Sequence, residues 1–188
     1  SDMKEGDVYI FNDPYDGGTH LSDFRLVKPI YRDGRVFCFI ASVGHYHDVG
    51  GNVPGNYNPA ATESFQEGIL IPPVKLYEEG KLRQDIIDIM LANSRLPGSL
   101  YGDLNGQINA LDLGLNRINE LLDEYGDEIV IGAMSELRTR ANKLMQSYIG
   151  GLPDGVYEAV DWLDNDGIVD NSLRLELKIR IAGNAMTL

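Results

Sequence analysis

The chain has 188 residues and a formal net charge of −13, from 16 basic and 29 acidic side chains. That balance argues against a nucleic-acid partner, because such binding rests on Lys and Arg neutralising phosphates, and against an anionic membrane surface. It leaves metal ions and basic protein surfaces as partners, although acidity alone also keeps a protein soluble.

At 43% hydrophobic and 24% charged, the composition is that of an ordinary globular chain, and the length suggests one domain over 1–188. Cys38 is the single cysteine, so no intrachain disulfide forms. Its apolar neighbours suggest a small buried hydrophobe in a reducing, cytoplasmic setting. No apolar stretch approaches the roughly 20 residues of a membrane span, and no signal peptide is expected. The abrupt start at Ser1-Asp2-Met3, and a strand pattern running nearly to Leu188, suggest a piece of something longer.

Residues 1–75 read as strands joined by loops rich in Gly, Asn and Asp. Val8 to Phe11 is the first strand-like run, and Asn12 to Gly18 is dense in turn formers. Leu26 to Tyr31 reads as a second strand, and Asp33-Gly34 as a hairpin turn. Val36 to Val43 is continuously apolar, as expected of a strand buried on both faces. A long Gly/Asn/Pro loop follows from Gly50 to about Pro59, and loops of that length are usually functional or mobile.

The region 85–150 reads as helical. Ile86, Ile87, Met90 and Leu91 suggest a short helix stopped before Pro97. From Asp103, the residues Leu104, Ile108, Leu111, Leu115, Ile118 and Leu122 form one stripe at helical spacing. Gly126 and Asp127 suit a cap and a new start, and a second stripe runs from Ile129 to Tyr148. Two helices of about 22 residues, each roughly 33 Å long, would form an antiparallel hairpin. Residues 153–183 read as a β-hairpin, with Leu173, Leu175, Leu177, Ile179 and Ile181 alternating with charged residues. The expected class is α+β, with a mixed or antiparallel sheet and a long helical hairpin.

The three histidines, His20, His45 and His47, fall within 28 residues of one another, with Asp13, Asp16, Asp23 and Asp48 among them. Imidazole and carboxylate are the usual ligands of Zn, Mn or Fe. His20 and Asp23 stand three residues apart, and His45 ends the apolar strand, so these three are the candidate metal ligands. His47 points to the same side if the strand continues. It would be a fourth ligand or a proton carrier, and Asp48 would move a proton or orient a ligand. Ordinary polar loop residues are the bland alternative. Glu63 and Glu67 are an acid/base candidate pair, more simply read as solvated.

Other motifs fail. Counting back from Gly167 puts Trp162 at the first calcium-ligand position and Leu173 where Glu is required. No Lys-Ser or Lys-Thr follows Gly50-Gly51, so there is no phosphate loop and no nucleotide site.

The runs Gly6-Asp7-Val8, Asn12-Asp13-Pro14-Tyr15, Gly18 to Asp23, Gly44 to Gly51, Glu67-Gly68, Ile71 to Leu76, Asn93-Ser94-Arg95 and Gly102-Asp103-Leu104 together resemble the hydantoinase B / 5-oxoprolinase family. That family includes N-methylhydantoinase B and the acetone carboxylase alpha subunit, and the resemblance runs from Gly6 to about Gly183. It implies a hydantoinase A-like partner that uses ATP, bound there and not here, to phosphorylate an amide or ketone oxygen. It implies a divalent metal (Zn, Mn or Fe) held by His20, Asp23 and His45, and ring opening of a cyclic amide such as a hydantoin, 5-oxoproline or a lactam. An oligomer is expected. Family subunits are much longer, so further site residues are expected outside this chain.

Three alternatives stand beside that expectation. One is a ketone carboxylase alpha-type subunit. A second is a non-haem Fe(II) oxygenase, which shares two His and one carboxylate but lacks a later His here. The third is a non-catalytic assembly fragment whose metal would have four protein ligands and no open position.

Overall fold

The computed structural model describes residues 2–188. Its fold is α+β, and the chain resolves into two compact units, Ser1–Asn119 and Glu120–Leu188. The division falls inside the region 85–150 that the sequence groups as helical, within one long helix.

The first unit holds strands β1 (Val8–Phe11), β2 (Asp23–Arg32), β3 (Arg35–His45), β4 (Val74–Glu78) and β5 (Lys81–Leu82). They form one sheet in the order β3-β2-β1-β4-β5. Every pairing is antiparallel. Helix α1 (Gln84–Ala92) packs on β4, and helix α2 (Pro97–Tyr125) opens on a proline, whose missing N–H is no loss in a first turn. Alternation decides which sheet face is inside. Val8 and Ile10 of β1, with Phe24 and Leu26 of β2, join Ile87 and Met90 of α1 and Leu100, Leu104 and Leu111 of α2 in one core.

β3 differs from its expectation. It pairs only with β2, so it is an edge strand, and none of its residues is fully buried. Phe39 and Val43 are exposed, and Cys38 is half-buried. A continuous apolar run lacks the period that separates an edge strand from a central one. The Asp33-Gly34 turn is as expected: both residues have positive φ (50° and 73°), the type I′ signature.

The second unit contains α3 (Asp127–Gly150) and the antiparallel sheet β6 (Gly155–Leu163), β7 (Leu173–Ala182) and β8 (Ala185–Thr187), in that order. The expected strands form, but their apolar face is open. Of the alternating residues of β7 only Ile181 is buried, while Leu173, Leu175 and Leu177 are exposed. In α3 only Val130 is buried. Alternation specifies which residues share a face, but burial of that face needs another layer.

Candidate functional site

The site grows from the β2–β3 hairpin. Counted straight from the turn, Arg32 faces Arg35 and Asp23 would face Gly44. A register shift between Ile30 and Tyr31 moves the partners by one, and Asp23 lies opposite His45. Because side chains alternate, that one-residue bulge decides whether His45 meets the carboxylate or turns from it.

His45 Nδ1 lies 2.6 Å from Asp23 Oδ1. His20 reaches the same carboxylate from the preceding turn, with Nδ1 3.3 Å from Oδ2. The His20 main-chain N–H donates to Oδ2 at 3.2 Å, and the Asp23 N–H donates to the His20 carbonyl at 3.1 Å, which closes the turn. The two imidazoles stand edge to face, 5.6 Å between centroids. One ligand atom from each of His20, Asp23 and His45 lies within 4.8 Å of the others, so the donor set fits a single divalent ion. Burial alone would raise the Asp23 carboxyl. Hydrogen bonds from His45 and the His20 main chain, with the charge of both imidazoles, outweigh it and hold the pKa below its ordinary value.

A cavity of about 520 Å³ opens beside the cluster, lined by His20 and His45 and by residues of the 12–22 and 55–59 loops, with Glu67 also on its wall. Glu63 does not line it, so the two glutamates have separate places.

His47 and Asp48 lie elsewhere. β3 ends at His45, so the period-two argument for His47 no longer applies. His47 is exposed, with Nδ1 3.3 Å from Ser99 Oγ at the start of α2. Asp48 is buried. It accepts hydrogen bonds from the main-chain N–H groups of Gly50, Gly55 and Arg95, at 3.1, 3.2 and 3.0 Å. The Arg95 guanidinium adds a fourth at 3.1 Å. Burial raises the Asp48 pKa, but these four donors overcome it and hold it at about 2. The geometry assigns Asp48 to anchoring the loop rather than to carrying a proton.

Three buried polar residues support the site without a local signal in the sequence. Asn12 is fully buried; its amide donates to the carbonyls of Leu21 and Ile69 at 2.7 and 2.8 Å, and its oxygen accepts from the Ile71 N–H at 2.7 Å. It ties the loop that carries His20 to the segment after Glu67. Gln107 of α2 donates to the Phe24 carbonyl at 3.1 Å and accepts from Tyr46 Oη at 2.6 Å. A Cβ on Gly44 would lie 2.8 Å from the Gln107 side chain, so the residue before His45 must be small. Arg25, on β2, donates to the carbonyls of Asp13 and Asp16 at 2.6 and 3.0 Å and lies 4.9 Å over the Phe11 ring. Only the capacity of Asn and Gln to bond main chain inside a core hints at these roles.

The Hydantoinase B/oxoprolinase family matches residues 1–188. The beta subunit of caprolactamase from Pseudomonas jessenii is 37% identical over 97% of this chain, which spans 32% of that subunit. A 5-oxoprolinase from Dictyostelium discoideum is 29% identical over 96% of the chain, which spans 14% of it. The crystal structure of ATP-dependent caprolactamase from Pseudomonas jessenii superposes with a TM-score of 0.91 at 35% identity, covering 99% of this chain and 32% of that one. This chain thus spans about a third of the caprolactamase subunit. Among the described residues no helix is long and apolar enough to cross a membrane.

Proposed function

Because this chain belongs to the hydantoinase B/oxoprolinase family, we propose that it carries the metal centre of an ATP-dependent cyclic-amide hydrolase. The single observation that carries this reading is the convergence of His20, Asp23 and His45 on one point at the edge of an open cavity. Three protein donors facing a cavity suit a catalytic site, whereas a purely structural ion would be enclosed by four. A divalent ion of zinc, manganese or iron held there would supply Lewis-acid polarisation of the amide carbonyl.

The chain's own residues have separable tasks. Asp23 stays ionised and orients both imidazoles. Ser22 Oγ, 3.2 Å from His45 Nε2, helps to fix that ring. Glu67 on the cavity wall is the candidate to move the proton that ring opening requires. Asp48 acts at a distance by holding the loop that closes the cavity, and His47 stays with Ser99 outside it. A hydantoinase A-like partner subunit would activate the amide with ATP; the beta-subunit name of the caprolactamase relative, and its ATP dependence, support that division of labour.

The test is ADP release driven by a cyclic amide, using the subunit that contains this chain together with its ATP-using partner. His20→Ala and His45→Ala should each lower kcat at least 100-fold with the partner still bound. Turnover of a ketone with bicarbonate but of no cyclic amide would replace hydrolysis with carboxylation. Full hydrolysis by both variants would remove the cluster from the reaction.

A further inference from the structure

The sheet of the first unit has a second face. Val8, Ile10, Phe24 and Leu26 point into the core, so alternation turns Tyr9, Phe11, Arg25 and Val27 the other way. Across β1 and β2, Tyr9 pairs with Val27 and Phe11 with Arg25. These residues floor a cavity of about 660 Å³, with Pro73 and the side chains of Asp2 and Asp16 also on its wall. That volume lies within the usual range for small-molecule sites, roughly 300–1,000 Å³. No lining residue is shared with the cavity beside the His20 cluster.

Two donors on this floor are unspent. Tyr9 Oη and Arg25 Nε are buried, and neither has a hydrogen-bond partner. Arg25 as a whole is only 8% exposed. Its terminal nitrogens donate to the main-chain carbonyls of Asp13 and Asp16, and among the described residues it forms no ion pair with a carboxylate. Lys75, opposite Tyr9 on β4, is already paired with Asp7 at 3.0 Å. A buried cation and a buried hydroxyl without acceptors are costly. A carboxylate would accept from both, with a charge-assisted bond from the guanidinium. Burial raises the Tyr9 phenol above its ordinary pKa, so it keeps the proton it would donate. The same ligand would also meet Asp2 and Asp16, which suit an ammonium group, while Phe11, Val27 and Pro73 would cover methylenes between the two charges. We propose that this cavity binds an aliphatic amino acid, its carboxylate on Arg25 and Tyr9 and its ammonium beside Asp2 and Asp16. Hydrolysis of a cyclic amide adds water across the ring C–N bond and leaves a molecule of this class, a carboxylate and an ammonium joined by methylenes. The cavity is then a product site outside the reacting centre, a link that rests on the reading of this chain as part of a cyclic-amide hydrolase.

The test titrates 6-aminohexanoate, hexanoate and hexylamine into the purified subunit that contains this chain, by calorimetry in the presence of a chelator. The amino acid should bind at least five-fold more tightly than hexanoate, and hexylamine more weakly than either. Tyr9→Phe should weaken the amino acid at least three-fold. Because it removes an unpaired buried hydroxyl, it should not lower the melting temperature of the ligand-free protein. Replacing Asp2 and Asp16 together by Asn should reduce amino-acid binding to the level of hexanoate and leave hexanoate unchanged. His45→Ala should leave amino-acid binding intact. Binding unchanged in Tyr9→Phe, hexanoate as tight as the amino acid, or amino-acid binding lost with His45→Ala would each overturn the proposal, the last by moving the ligand to the reacting cavity. No binding of either acid would also overturn it and give the two donors to another segment of the longer subunit. Cyclic-amide turnover on the same samples separates the two readings. Turnover with no amino-acid binding sinks this site alone; binding that follows the Tyr9 and aspartate variants without turnover upholds the site and removes the hydrolase reading.

Discussion

The two units of this chain handle their side chains in opposite ways. Ser1–Asn119 buries polar groups: Asp7, Asn12, Asp48 and Gln107 all lie inside, each with hydrogen-bond partners. Glu120–Leu188 exposes apolar ones: Leu137, Leu144, Tyr148, Trp162 and Leu175 all face outward. Buried polar groups are costly unless fully paired, so they specify one arrangement. Open apolar faces specify nothing until something covers them. The His20–Asp23–His45 cluster stands in the unit whose loops are fixed by such pairing.

The largest expected break in this contrast is Asn12→Leu. It strands two carbonyls and one N–H in the core, each worth about 1–3 kcal/mol, so a loss of at least about 3 kcal/mol is expected in chemical denaturation. A loss under about 1 kcal/mol would mean that Asn12 does not hold the two segments. Leu104→Ala against Leu137→Ala sharpens the contrast directly. The first is fully buried and should lose about 3 kcal/mol. The second is 69% exposed and should change stability by less than about 0.5 kcal/mol. Comparable losses would show that the Leu137 face of α3 is packed in solution.

The Asp48 anchor predicts an acid dependence. Its carboxyl falls from the usual 3.8 to about 2 in the fold. A depressed pKa contributes stability above the unfolded value and loses it as pH falls through the folded one. About 2 kcal/mol should therefore disappear between roughly pH 4 and pH 2, and Asp48→Asn should flatten that part of the profile. An unchanged slope would contradict the anchor. Apart from the near-neutral Leu137→Ala, the smallest effect expected is that of Gly44→Ala. The added Cβ must displace Gln107, and a loss of about 1–2 kcal/mol is expected.

What the sequence disclosed follows the same division. Period two marked β7 and helical spacing marked α1, α2 and α3, because each needs only a local repeat, whereas β1 and β2 were legible only as short apolar runs. His20, Asp23 and His45 were visible as a cluster, since histidines are few and His20 and Asp23 are only three residues apart. Their pairing was not visible: it depends on the shift at Ile30–Tyr31, which no residue type announces. The anchoring places of Asn12 and Asp48 were hidden in runs that look like turns. The face of β7 was legible, but its exposure was not, because burial is a property of the neighbouring layer.

The most direct test of the central claim is metal content by elemental analysis of purified protein, wild type beside His45→Ala and Asp23→Asn. About one equivalent of zinc, manganese or iron in wild type, lost from both variants while their folds persist by circular dichroism, is the predicted result. Stoichiometric metal retained by both variants, or none bound by the wild type after incubation with each ion, would contradict it.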